Sequence, residues 1–143
     1  MKTFWSTTVL VATLLGGSAL LRGAEKPPVE HVKAMKELSA FLQAMTKPGA
    51  EQNLDEAKRW VLIVRDAFAV AGNFWNDRNQ AGEYNAEIAA TQEGIKEASD
   101  MGVSANLDSP EGVAASVKAI ATHCQGCHAM HREKADDGSF LIK

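Results

Sequence analysis

The sequence predicts an all-α protein, an antiparallel up-down-up-down four-helix bundle. Three observations carry this. Four stretches repeat apolar residues at helical spacing, each bounded by proline, glycine or a capping side chain. No segment alternates apolar and polar residues for long, so no strand is expected to find a partner. The connections are short, which makes an antiparallel bundle the natural way to bury four apolar stripes. With 143 residues, 45% of them hydrophobic and 23% charged, the chain has room for one ordinary domain and is too apolar for wholesale disorder.

Residues 1–24 read as an export signal rather than as part of the bundle, which leaves 25–143 as the domain. Lys2 supplies a positive start, and Val9 to Leu21 is an apolar run too short to cross a bilayer comfortably. Cleavage after Ala24 would place Arg22 where a small residue is expected; cleavage after Ala19, with Gly17 at that position, fits better. No later apolar segment approaches membrane length, so no membrane span is expected in the mature chain, and an exported bacterial protein of this kind would reside in the periplasm.

The first helical stretch lies between Pro27-Pro28 and Pro48-Gly49, where Val32, Met35, Leu38, Leu42 and Met45 step along one face and Phe41 widens it. The second starts at Asn53, with Glu56 placed to complete a capping box, and carries Ala57, Trp60, Val61, Val64, Ala67, Phe68 and Ala71 until Gly72 ends it. The third runs from about Gln80 to Met101 along Ala81, Tyr84, Ile88, Thr91, Ile95 and Ala98, with Gly102 as a left-handed cap. The fourth opens on Ser109-Pro110-Glu111, an N-cap, an N1 proline and a first-turn acid. It aligns Val113, Val117, Ile120, Cys124 and Cys127, and Asp136-Asp137-Gly138 ends it.

The chemistry concentrates in that last helix. Cys124-Gln125-Gly126-Cys127-His128 is C-x-x-C-H, the attachment signature of c-type haem. On a helix, positions 124, 127 and 128 point the same way. Two thiols can therefore bond the two vinyl groups of one haem while the His128 imidazole stands beneath the iron as proximal ligand. An export signal agrees with this, because c-type haem is attached outside the cytoplasm. Three other uses of the cysteines are weaker. A redox dithiol usually sits in a βαβ setting; zinc held with His123 and His131 would need ligands from more than one straight helix; and a disulfide three residues apart closes almost no loop.

A C-x-x-C-H motif on the last helix of an exported four-helix chain resembles the class II c-type cytochromes, the cytochrome c-prime family. The resemblance spans about residues 29–136 and is most specific at Cys124 to Arg132, similar to C-x-x-C-H-x-x-(aromatic)-R. Phe74-Trp75 resembles the family's Trp before the third helix. His131 departs from the pattern, standing where the family has Tyr or Phe. The resemblance implies one covalent haem c per chain, with Arg132 supporting His128 or a haem propionate. It also implies either a six-coordinate electron carrier with a first-helix Met ligand, serving redox partner proteins, or a five-coordinate protein that binds NO or CO. A homodimer through the first two helices is a further family trait.

For the distal iron ligand, level along the bundle selects Met35. If the fourth helix runs to Asp136, His128 lies ~12 Å from its end and Met35 ~9 Å from the start of the antiparallel first helix. Met45 is too far along and Met130 shares a helix with His128, while Met101, at the end of the third helix, stays open as an alternative. His31, one turn before Met35, is the rival and is expected to be more solvated. His131 faces the haem side, whereas His123 should point to the surface. Trp60, Phe68 and Phe41 read as core or pocket wall, and Glu93, Lys96 and Glu97 as a solvated face. A peroxidase would need a distal acid–base pair, and the first helix offers His31 without a matching Arg, so no enzyme is expected. A formal charge of −3 speaks against nucleic acid as a partner.

Overall fold

The computed structural model describes residues 24–143, so the expected export signal lies, apart from Ala24, outside the described residues. Four helices carry the domain: α1 (Val29–Met45), α2 (Leu54–Asn76), α3 (Asn85–Asn106) and α4 (Pro110–His131). Each packs against the next in antiparallel fashion. His31 and Phe41 on α1 stack on Phe74 and Trp60 at opposite ends of α2. Gly72, Gly94 and Gly102 meet Thr91, Phe68 and Val61 in reverse order along α2 and α3. The helices are thus arranged as a bundle, and no helix among the described residues is long and apolar enough to cross a membrane.

The helix starts follow the local chemistry. Ser109 Oγ accepts a hydrogen bond from Gly112 N at 3.2 Å, with Pro110 at N1. Asn53 Oδ1 accepts from Glu56 N at 3.1 Å. Only half of the expected capping box forms, because the Glu56 carboxylate turns away to accept the Trp60 indole N–H at 2.8 Å.

The helix ends differ from expectation, and packing explains why. Gly72 and Gly102 end nothing; both lie inside helices, at points where α2 and α3 approach closely. A Cβ on Gly72 would lie 2.9 Å from Thr91 Oγ1, and one on Gly102 would lie 3.0 Å from Val61. α3 continues to Asn106 and is closed by Asp108, whose φ of 51° is the left-handed conformation that Asp tolerates better than most residues. At its other end α3 starts at Asn85, so Ala81 and Tyr84 stand before it.

The strandless expectation is also corrected. α4 stops at His131, and Asp136-Asp137-Gly138 turns a small antiparallel hairpin of β1 (Arg132–Lys134) and β2 (Phe140–Ile142). Gly138 takes a φ of 81° in that turn. Glu25 bridges Ile142, so the hairpin ties the segment before α1 to the end of α4. Strands of three residues are too short for a period of two to be read in sequence.

The core runs through Leu38, Phe41, Val64, Phe68, Met101, Val113 and Ile120. On α1 the buried face is His31, Ala34, Leu38, Phe41 and Met45, rotated from the expected stripe so that Val32, Met35 and Leu42 flank it. The packing is uneven. α2 and α3 share the most extensive interface, and α1 and α4 scarcely touch.

Candidate functional site

The gap between α1 and α4 is where the sequence-predicted residues meet. A cleft of about 380 Å³ is bordered on the α4 side by Cys124, Cys127 and His128 and on the α1 side by His31, Met35 and Leu42. A second cleft of about 560 Å³ shares His31, Met35, Cys127 and His128 and extends beneath β2. Both lie in the size range of small-molecule and cofactor sites, roughly 300–1,000 Å³. The α4 side exists because three and four residues both approximate one helical turn, which brings positions 124, 127 and 128 onto one face.

Both cysteines are free and half-buried. Burial pushes each thiol up to about 11; for Cys127 the nearby Glu87 carboxylate adds to the effect. These are neutral thiols rather than the activated thiolates of a redox dithiol. His128 is held below its ordinary value by burial and by the charge of Arg132, which keeps its lone pair available. Among the described residues, no group of three or more His, Cys, Asp or Glu side chains gathers as a metal-ligating cluster. The zinc arrangement fails for a local reason: His131 is engaged elsewhere.

That engagement was invisible in the sequence. His131 Nε2 lies 2.6 Å from Glu87 Oε1, and its ring packs on Trp75 with centroids 4.7 Å apart. Glu87 is only 6% exposed, and its second oxygen is buried without a hydrogen-bond partner. It occupies a core-facing position one turn before Thr91, a place where helical spacing alone suggests an apolar residue. Trp75 sits in the last turn of α2 rather than in a loop, and the Tyr84 ring packs on it with centroids 5.1 Å apart.

His31 is buried, at 8% exposure, not solvated as expected. Its ring stacks on Phe74 at 4.3 Å, and its Nδ1 is buried with no hydrogen-bond partner. Burial, reinforced by the charges of Arg78 and His128, lowers its pKa to about 4. Arg78 is placed there by Glu25, whose carboxylate accepts from its guanidinium at 2.6 and 3.0 Å, and it covers the Phe74 ring. Met35 is half-buried and packs against the core.

His123 is half-buried and borders the first cleft, a correction to its expected surface position. Arg132 is exposed, lies 3.3 Å over the Phe140 ring, and borders both clefts. Lys26 and Lys36 border the second and carry no signal in the sequence. Of the pocket-wall candidates, Phe68 borders the first cleft, while Phe41 and Trp60 pack together away from it. Lys96 pairs with Asp100 and Glu97 at the surface, leaving that face solvated as expected.

Comparison with family models, with curated proteins and with solved structures finds no match for this chain. The functional reading therefore rests on the residues themselves.

The residues fit a covalently held haem. The two free thiols and one neutral imidazole share a helix face, that face borders a cleft, and an imidazole with an unpaired nitrogen lines the same cleft from α1.

Proposed function

We propose that this chain is a monohaem c-type cytochrome, exported to the periplasm, that passes single electrons between redox partner proteins without turning over a substrate. The observation that carries the reading is that Cys124, Cys127 and His128 jointly border the cleft between α1 and α4. Bound there, haem would supply a reversible one-electron couple. Each cysteine would add its S–H across one vinyl C=C of such a haem, with no leaving group and no added oxidant. The covalent links keep a small bundle from losing its cofactor. His128 would hold the iron from α4, and Met35 and His31, which line the cleft from α1, are the side chains that could hold it from the other helix. Arg132, with Lys26 and Lys36 at the rim, is suited to receive the propionate carboxylates by charge. The apolar side chains around the cleft, Leu38, Leu42 and Phe68 among them, would keep water from the bound group.

Expression in a host able to attach c-type haem, followed by intact mass and a pyridine haemochrome spectrum, tests the reading. The expected result is a gain of one haem mass, lost in Cys124→Ala/Cys127→Ala. Two free, alkylatable thiols and no haem mass in the wild-type protein would overturn it.

A further inference from the structure

The real end of α4 changes which α1 side chain faces His128. Because α4 stops at His131, His128 lies only ~4.5 Å from its end by helical rise. The β-bridge from Glu25 to Ile142, with β2 paired to the residues that follow α4, holds the start of α1 beside that end. At the start of α1, His31 lies ~3 Å along the axis and Met35 ~9 Å. His31 is therefore the nearer match in level to His128.

The state of the two side chains points the same way. Met35 makes ordinary packing contacts with the core, as expected of a flexible gap filler. His31 is more than nine-tenths buried, its ring is fixed against Phe74, and Nδ1 has no partner. A buried imidazole nitrogen left unpaired costs free energy and calls for an explanation. A ligand in the cleft that His31 lines would provide one.

We infer that His31, rather than Met35, binds the iron face opposite His128, an inference that rests on the haem reading above. The site is then a bis-imidazole centre, and its reduction potential lies below that of a His/Met site in the same bundle.

The test uses haem-loaded protein, its attachment verified by mass. Wild type, His31→Ala and Met35→Leu are compared by absorption in both oxidation states and by CO addition to the ferrous form. Wild type is expected to be low-spin and resistant to CO. His31→Ala becomes high-spin, binds CO at once, and returns to low spin when free imidazole is added. Met35→Leu keeps the wild-type spectrum. If His31→Ala does not accumulate, His31→Met replaces it, and a low-spin spectrum with a new sulfur-to-iron band and a raised midpoint potential is expected. The inference is overturned by a wild type that is high-spin as isolated. It is equally overturned if Met35→Leu turns high-spin, or if a variant lacking His31 keeps the wild-type spectrum. Absence of any haem mass removes the underlying reading as well, and the mass measurement tells that failure from the others.

Discussion

The two sides of the bundle are built on opposite plans. Where α2 meets α3, small side chains let the backbones approach until aromatic rings fill the contact: Phe68 lies where a Cβ on Gly94 would come within 2.5 Å of it. Where α1 faces α4, the helices stand apart, and two of the buried polar atoms left unpaired among the described residues belong to His31 and Glu87, which border the gap. Close packing supplies dispersion and apolar burial without demanding anything of a ligand. An open gap with unpaired polar atoms beside it gives up part of that stabilisation and makes sense as a place to receive one.

Perturbing the Glu87–His131 pair should have the largest effect. Glu87→Ala removes a buried, hydrogen-bonded partner and leaves a void between α3 and α4, at a cost of about 3 kcal/mol. Urea unfolding would read this as a lower midpoint, and an unchanged midpoint would mean that the pair contributes nothing net.

A pH titration probes the open side next. In the haem-free Cys124→Ser/Cys127→Ser chain, His31 is neutral when folded, with a pKa lowered from 6.5 to about 4. The unfolded chain binds a proton that the folded chain refuses, so stability is full above pH 6.5 and declines as pH falls toward 4. The decline should be of order 2 kcal/mol after allowance for solvent screening. His31→Leu should flatten that slope. A slope that survives the substitution would assign it to other groups.

Two glycine substitutions then set the sides directly against each other. Gly94→Ala drives a methyl into the Phe68 ring and should cost about 1–2 kcal/mol, overpacking outweighing the gain in helix propensity. Gly126→Ala adds a methyl where no atom lies within 4 Å, and should stabilise the haem-free chain by about 0.5–1 kcal/mol. Thermal unfolding of both variants would check the signs. If both shifted Tm in the same direction, the packing contrast would be wrong.

Much of the fold could be read from the residues, and the misses share a cause. The capped helix starts were legible because caps act locally: Ser109 and Asn53 bond backbone groups three residues away, whereas α3, without a side-chain cap, starts five residues later than its apolar spacing suggests. Helix ends were not, because glycine has two uses that look alike in sequence. Gly72 and Gly102 serve close approach to α3 and α2, which depends on partners distant in the chain, whereas Gly49, Gly82 and Gly138 take the left-handed conformation in turns. Asp137-Gly138 was legible as a stop but not as a hairpin, since its strands are too short to show a period. In the site, C-x-x-C-H was legible because helical geometry alone gathers it. His31 and Glu87 were not, since spacing assigns a residue to a face but cannot say how deeply its polar atoms are buried.

What the sequence determined by itself was the set of four helices, the capped starts of α2 and α4, and the shared face of Cys124, Cys127 and His128, all consequences of interactions within a few residues. The tertiary structure decided where α4 stops, how far α1 stands from it, and that His31 is buried within the gap without a partner. Those outcomes depend on the hairpin tying Glu25 to Ile142 and on the glycine-lined approach of α2 to α3. Both are contacts between residues far apart in the chain, which no local pattern encodes.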